Sequence, residues 1–235
     1  DPDEHRRWWA NFKDPNLDSL ICMASQQNLT LREAGFRVLE SRAKLAITVG
    51  EFFPQQQSAT GSFTQRGLST AVANRQFIAQ GYYPQWNYGA GLAWELDFWG
   101  RYRRAIEAAS DNLDASIENY DSAMVILLGD VAGSYVLMRY FESQAAITQS
   151  VAEFQQESLT IAQARFRGGL VSELDVDQAQ ADLSKTLSEI PNYKAFARIE
   201  NNRLCQLLGI APEDLEKRLG KGPIPSAGPE VALGV

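Results

Sequence analysis

The sequence predicts a mainly α-helical chain with a small β part, in which two β-strands precede a long antiparallel coiled-coil helical hairpin. Three observations predict this fold class. Residues 58–64 and residues 85–94 each alternate with a period of two, apolar residues within 101–166 recur at spacings of four and three, and the glycine pair at 168–169 separates two helical patterns.

Composition excludes several classes of protein. The 235 residues are 45% hydrophobic, so the chain can bury a core, and 29 acidic against 22 basic residues argue against a nucleic-acid partner. The longest clean apolar stretch, residues 123–128, ends at Gly129 and Asp130. It is far shorter than the roughly 18–20 residues that cross a bilayer as a helix, so we expect no transmembrane helix.

The first helical stretch covers about residues 17–50, with a break near 27–28. The dipeptide Asp14-Pro15 is a helix start, because Asp caps a helix and Pro suits its first position. Thr30 with Glu33 three residues later predicts a capping box for a second start.

Two strands follow, each with two unlike faces. In the first strand Ala59, Gly61 and Phe63 alternate with serine and threonine, and the second strand alternates aromatic or apolar residues with small or polar ones. Two strands alone are marginal in water, but 10–15 residues suffice to cross a bilayer when tilted. We therefore expect transmembrane strands of a shared barrel with these membrane-facing residues: Phe63, Trp86, Tyr88, Leu92 and Trp94.

A continuous helix over residues 101–166 would be about 100 Å long. Its heptad seam consists of Leu113, Ile117, Tyr120, Met124, Leu127, Val131, Ser134, Met138, Phe141 and Ala145. A second apolar row, at Val125, Leu128, Ala132 and Tyr135, widens the stripe and predicts neighbours on two sides.

The chain reverses at residues 165–172. Glycine supplies the left-handed conformation of a helix C-terminus, the two arginines suit its negative end, and Ser172 caps the returning helix. We expect a kink or break at Pro191, a further helix over about 192–208, and a Gly/Pro-rich linker towards the end of the chain.

Residues that could carry chemistry are few. His5 supplies the imidazole, neither cysteine has an evident base beside it, and Glu95 with Asp97 is better explained as a polar rim than as a carboxylate pair. The sequence contains no metal-ligand spacing and no phosphate loop, so we predict no enzyme, no metal and no cofactor.

Two other features leave alternatives open. Cys22 and Cys205 could form a disulfide or be two small buried residues. The acidic residues just after the turn could form a cation-attracting entrance or a solvated helix face; the candidates are Glu173, Asp175 and Asp177.

The order of these elements, together with several motifs, resembles the TolC-like outer-membrane efflux proteins and in particular their NodT-type branch. The most specific motif is Trp94-Glu95-Leu96-Asp97-Phe98-Trp99-Gly100-Arg101. The others are Trp9 to Leu17, Arg42 to Pro54, Arg165 to Ala179, and Leu207-Leu208-Gly209.

This resemblance implies the outer-membrane duct of a tripartite efflux or type I secretion system in a Gram-negative cell, with a large periplasmic part. Family subunits carry two such repeats and form trimers whose β-barrel continues into an α-helical tunnel; this sequence matches the first repeat. The expected segments are an N-terminal segment with an upper tunnel helix (1–54), the transmembrane strands with an extracellular loop (55–96), the periplasmic hairpin (97–209), and a linker towards a second repeat (210–235).

The resemblance also implies contacts with an inner-membrane pump, outer-membrane lipid and a periplasmic adaptor protein. The adaptor would meet the turn at Arg165, Arg167, Gly168, Gly169, Leu170, Val171 and Ser172. A structural reversal alone would also explain its glycines. The alternative function is that of a soluble periplasmic coiled-coil protein with a structural or interaction role.

Overall fold

The computed structural model describes residues 7–69, 71, 73, 77 and 81–226. A short 3-10 helix, Trp8–Phe12, is followed by helices α1 (Pro15–Gln27) and α2 (Leu29–Phe52) and by strands β1 (Gln56–Gly67) and β2 (Tyr82–Ala93). The long helix α3 (Arg101–Arg167), the return helix α4 (Glu173–Leu207) and the short helix α5 (Glu216–Leu219) complete the order. The predicted fold class is confirmed.

The described chain divides into two compact units. One contains residues 36–118, and the other contains residues 1–35 and 119–235. The strand pair and the start of α3 belong to the first, which we call the strand unit. The remainder of α3, the turn and α4 belong to the second, which we call the hairpin unit.

The caps of α1 and α2 show one correct and one wrong prediction. The Asp14 Oδ1 accepts hydrogen bonds from the backbone N–H groups of Asn16 (2.8 Å) and Leu17 (3.3 Å), as predicted for a cap. The capping box predicted at Thr30 is wrong, because α2 already begins at Leu29 and Thr30 lies inside it. Asn28 is the cap, and its Oδ1 accepts from the N–H of Leu31 at 2.8 Å.

The two strands pair antiparallel over their whole length. Residues directly opposite each other include Phe63 with Trp86, Gly61 with Tyr88, and Gln57 with Leu92. Opposite residues of an antiparallel pair share a face, so the two predicted apolar rows lie on the same side of the sheet.

The core of the hairpin unit joins α1 to the long helix. Its buried members are Leu17, Leu20, Ile21, Ala24, Leu31, Leu127, Leu128, Val131, Ala132, Tyr135, Met138, Leu204, Cys205, Leu208 and Leu215. Each large apolar side chain buried here contributes about 1.5–3 kcal/mol. A second cluster, formed by Ala152, Leu159, Leu183 and Ile190, holds α3 and α4 together nearer the turn.

The heptad seam of α3 is partly buried. Leu127, Val131 and Met138 lie in the core, whereas Ile117 of the seam and Val125 of the second row are exposed. The helix also contains an 18-residue stretch of mean hydropathy 1.4, long and apolar enough by composition to cross a membrane. Of that stretch 39% is buried, and the buried side chains of α3 include members of the core of the hairpin unit.

One expectation about the return of the chain is wrong. Helix α4 continues through Pro191, so a separate helix from about residue 192 does not exist. Pro191 lies on the exposed side, and Leu183 and Ile190, seven residues apart on the buried side, keep the helix in place despite the lost hydrogen bond. Residues 210–226 include the short helix α5, and Leu215 there is fully buried.

Candidate functional site: the strand pair and the tip turn

The apolar face of the strand pair is open to its surroundings. Its large members are 53–79% exposed: Phe63, Trp86, Tyr88 and Leu92. The rings of Phe63 and Trp86 contact each other across the strands at 4.5 Å between centroids, and Trp86 stacks with Tyr88 at 6.3 Å. Trp94 follows β2, and its indole N–H donates to the carbonyl of Phe52 at 3.1 Å. Nothing within the described strand unit covers this face.

The opposite face is small and polar. A Cβ atom on Gly89 would come within 2.8 Å of the Thr60 hydroxyl, and one on Gly91 within 2.7 Å of the Ser58 hydroxyl. The two glycines therefore leave room for hydroxyl side chains on the neighbouring strand. A strand pair with one mainly apolar face and one polar face suits a wall between lipid and water.

The acidic residues between β2 and α3 have structural roles. The Asp97 carboxylate, 7% exposed, accepts hydrogen bonds from the backbone N–H groups of Tyr102 (3.2 Å) and Arg103 (3.1 Å) and caps α3. Burial acts to raise the pKa of Asp97, but these bonds and the Arg103 guanidinium outweigh it and lower the pKa. Glu95 accepts from the Tyr102 hydroxyl at 2.9 Å. These contacts of Glu95 and Asp97 agree with the predicted polar rim and not with a pair of catalytic carboxylates.

The turn at residues 165–172, which we call the tip turn, ends α3 in a Schellman motif. The N–H of Leu170 donates to the carbonyl of Arg165 at 2.9 Å, and the N–H of Gly169 donates to the carbonyl of Phe166 at 2.9 Å. Gly169 has φ = +72°, which an L side chain rarely adopts. Leu170 is 78% exposed, Val171 is half-buried, and Arg165, Arg167, Gly168 and Ser172 are exposed.

A capping box begins α4. The backbone N–H and the hydroxyl of Ser172 both donate to the Asp175 carboxylate, at 2.8 and 2.7 Å. These bonds, that of the hydroxyl first, lower the pKa of Asp175. The carboxylates of Glu173 and Asp177 are exposed and make no hydrogen bond or ion pair within the described residues. Of the three candidate acids, these two remain available to ions.

Metal-binding clusters and clefts are the other features at which chemistry could take place. Among the described residues no group of three or more His, Cys, Asp or Glu could hold a metal ion, and His5 lies outside those residues. A cleft of about 800 Å³ in the hairpin unit lies between α3, α4 and residues 212–223. Its acidic side chains are engaged locally: Glu216 pairs with Lys221 at 3.6 Å, and Asp214 accepts from the N–H of Glu216 at 3.1 Å.

Comparison with known proteins identifies the family. The model of the family described as "Outer membrane efflux protein" matches residues 20–210, most of the chain. The chain belongs to the outer membrane efflux protein family. Nodulation protein T of Rhizobium leguminosarum bv. trifolii is 30% identical over 218 residues, which is 92% of this chain and 45% of that protein. The cation efflux system protein CusC of Escherichia coli (strain K12) is 27% identical over 203 residues, 86% of this chain and 42% of CusC.

Solved structures of outer-membrane channels share the fold. OprN matches with a TM-score of 0.80 and 28% identity over 97% of this chain and 50% of its own. CusC matches with a TM-score of 0.73 and 26% identity over 88% of this chain and 46% of its own. The chain thus spans about half the length of the relatives that it matches.

Sequence reasoning missed a buried polar network in this outer membrane efflux protein. Arg139 is fully buried; its Nε donates to the Tyr135 hydroxyl at 3.4 Å and its guanidinium to Glu142 at 3.0 Å and to the Leu219 carbonyl at 3.5 Å. The Tyr135 hydroxyl donates to Asp14 at 2.9 Å. Burial acts to lower the pKa of Arg139, but the bonds to Tyr135 and Glu142 raise it, so Arg139 stays charged. The network ties α1 and the segment after α4 to the long helix.

Asn28 was also missed, although its place at the helix break was a signal. Its amide Nδ2 donates to the carbonyl of Leu207 at 2.9 Å, so one side chain caps α2 and the end of α4. Gly209 lies beside it with φ = +69°, and a Cβ there would lie 2.7 Å from the Gln27 carbonyl oxygen. The Leu207-Leu208-Gly209 motif thus ends α4 where α1 and α2 meet.

The two cysteines are free, so the disulfide alternative is not formed in this structure. Cys22 is exposed and its Sγ accepts from the Gln26 amide at 3.5 Å. Cys205 is buried, and its thiol donates to the carbonyl of Glu213 at 3.5 Å. Each thiol thus has its own local partner.

Proposed function

We propose that this chain is half of an outer-membrane channel subunit, a passive exit duct of a tripartite efflux or secretion system, with no catalytic role. The observation that carries the proposal is the strand pair. Its apolar face is exposed, and within the described residues its outer strand edges are unpaired. Unpaired strand edges in lipid cost several kcal/mol for each group, so further strands must close a barrel around it. Each strand has 12 residues, enough to cross the membrane.

The proposal is tested by placing one charge on each face of β2. Tyr88→Lys puts an ammonium on the apolar face and should cost about 2–4 kcal/mol near the middle of the bilayer. Asn87→Lys, the matched control, puts it on the polar face and should be tolerated. We expect Tyr88→Lys to disappear from the outer-membrane fraction and Asn87→Lys to remain. Recovery of both variants, and of the parent chain, in the detergent-free fraction would support the soluble coiled-coil alternative.

For the assembly, we propose a homotrimer with two repeats in each subunit, working with an inner-membrane pump and a periplasmic adaptor. In this assembly we propose that residues 1–54 form the N-terminal and upper tunnel part and that residues 55–96 form the membrane strands. Residues 97–209 would form the periplasmic hairpin, and residues 210–235 would connect to a second repeat. The channel relatives, each about twice the length matched here, support this arrangement.

The tip turn is the proposed adaptor contact. Leu170 stands clear of the turn that Gly169 makes possible, and the two exposed arginines flank it. Leu170→Ser changes this apolar contact and leaves the Schellman hydrogen bonds, which are backbone bonds, intact. We expect weaker adaptor cross-linking and greater drug susceptibility at unchanged helix content. Leu187→Ser, on an exposed part of α4, is the control. Unchanged efflux and cross-linking in Leu170→Ser and Val171→Ser would make the tip turn a reversal only.

We also propose a cation-attracting entrance, formed by two of the three acidic residues that the sequence indicated. The Asp175 carboxylate is used in the capping box of α4. We therefore propose Glu173 and Asp177 as the residues that attract cations. Glu173→Gln with Asp177→Asn should lower cation selectivity in single-channel recordings and leave the helix start intact. Unchanged currents would favour the solvated-face reading. Asp175→Asn should instead weaken the capping box.

A further inference from the structure

The junction between β2 and α3 carries exposed aromatic side chains. Phe98 is 78% exposed, Trp99 is 95% exposed and Trp94 is 49% exposed. The neighbouring first turn of α3 holds exposed arginines. We call this set the junction patch: Trp94, Phe98, Trp99, Arg101 and Arg104.

These arginines lie at the end of α3 where the dipole of the helix disfavours positive charge. The N-terminus of a helix carries a partial positive charge that favours acidic residues and disfavours cations. The first turn of α3 contains no acidic residue and begins Arg101, Tyr102, Arg103, Arg104. The Asp97 carboxylate caps this helix start and pairs with Arg103, but it does not account for Arg101 and Arg104.

The neighbouring acidic residues do not neutralise all of these arginines. Arg103 binds the buried Asp97 carboxylate at 3.3 Å. Arg101 pairs with Glu95 at 3.7 Å and lies over the Tyr102 ring at 5.4 Å, but the side chains of Arg101 and Glu95 are both largely exposed. Arg104 makes no side-chain hydrogen bond or ion pair within the described residues. Arg101 and Arg104 are three residues apart, so they are neighbours on the helix surface. Two guanidinium groups are thus available beside exposed indole and phenyl rings.

This combination matches one kind of surface. Trp favours the boundary between hydrocarbon and water, and Phe inserts its apolar ring on the hydrocarbon side. Guanidinium binds phosphate through two parallel hydrogen bonds. We infer that the junction patch binds anionic phospholipid headgroups, with Trp99 and Phe98 at the interface and Arg101 and Arg104 on the phosphates. The inference rests on the proposed position of the strand pair in a membrane and names the lipid that its helical end contacts.

Flotation of the full chain with lipid vesicles tests the inference. Vesicles of phosphatidylcholine alone are compared with vesicles that also contain phosphatidylglycerol, at about 0.1 M and about 1 M salt. The chain should bind both, more strongly with phosphatidylglycerol at low salt. Each of Arg101→Gln and Arg104→Gln should weaken that extra binding about fivefold and leave binding to phosphatidylcholine unchanged. Trp99→Ala should weaken binding to both vesicles.

Arg198→Gln is the matched control, because Arg198 is an exposed arginine of the hairpin unit, and it should change nothing. Far-UV circular dichroism checks that each variant is folded. Equal binding to both vesicle types, unaffected by the arginine variants, would overturn the inference and leave the membrane position standing. Binding to neither would overturn both. A change of oligomer size in phosphatidylcholine vesicles, without dependence on phosphatidylglycerol, would assign the arginines to a second copy of the chain and overturn the lipid inference.

Discussion

Three glycines of the hairpin unit should respond to alanine in different ways. Gly169 and Gly209 both have positive φ, +72° and +69°, whereas Gly129 lies inside α3. A Cβ on Gly129 or on Gly169 would meet no atom within 4 Å, but on Gly209 it would lie 2.7 Å from the Gln27 carbonyl oxygen. The three substitutions therefore separate helix propensity, backbone strain and steric conflict.

The expected magnitudes follow from these differences. Gly129→Ala should raise the free energy of unfolding by about 0.5–1 kcal/mol, because glycine weakens a helix interior. Gly169→Ala should lower it by about 1–2 kcal/mol, the cost of the left-handed conformation for an L residue. Gly209→Ala carries the same cost and a further 1–3 kcal/mol or so from the conflict with a rigid carbonyl, about 2–5 kcal/mol together.

Urea unfolding followed by far-UV circular dichroism, in one detergent for all variants, measures the three values. The order of stability should be Gly129→Ala, parent, Gly169→Ala, Gly209→Ala. If Gly209→Ala were no less stable than Gly169→Ala, the close approach of α4 to the end of α1 would be refuted. A neutral Gly169→Ala would refute the left-handed tip turn.

Further predictions concern a cap, the thiols and acid. Asn28→Ala should lower the free energy of unfolding by about 2 kcal/mol in urea, since it removes a cap bond and the bond to Leu207, whereas Asn28→Asp keeps the cap oxygen and should lose about half. Maleimide should label Cys22 in the native protein and Cys205 only in urea, as counted by mass spectrometry. Folding lowers the pKa of Asp97, so its carboxylate stabilises the fold at pH values above its unfolded pKa of about 3.9. This stabilisation is lost as the pH falls through the pKa of Asp97 in the folded protein. Asp97→Asn should therefore flatten that part of the acid unfolding curve.

Each of these has a contradicting result. Equal losses in Asn28→Ala and Asn28→Asp would mean that the bond to the Leu207 carbonyl carries the whole effect and the cap none. An absence of labelled thiols in denaturing, non-reducing solution would mean that a disulfide forms after all. An acid unfolding curve that Asp97→Asn leaves unchanged would place the titrating group elsewhere.

Local signals determined most of the architecture. The two-residue alternation predicted both strands, because a strand shows its faces directly in sequence. The heptad seam and the run without proline predicted the long helix, and Gly169 and Ser172 predicted its reversal. The Asp14 cap was correct for the same reason, since a cap bond spans only two or three residues. The sequence therefore predicts the tip turn and the apolar strand face without any tertiary information.

Tertiary contacts decided the rest. Asn28 displaced Thr30 as the cap because the distant Leu207 carbonyl accepts from its amide, and Pro191 failed to break α4 because Leu183 and Ile190 hold the helix against α3. Arg139 is buried only because Tyr135, Glu142 and a carbonyl from far along the chain surround it. Such partners lie up to about 180 residues apart, and no local pattern records them. Sequence periodicity reports the faces of an element, whereas only packing reports what each face meets.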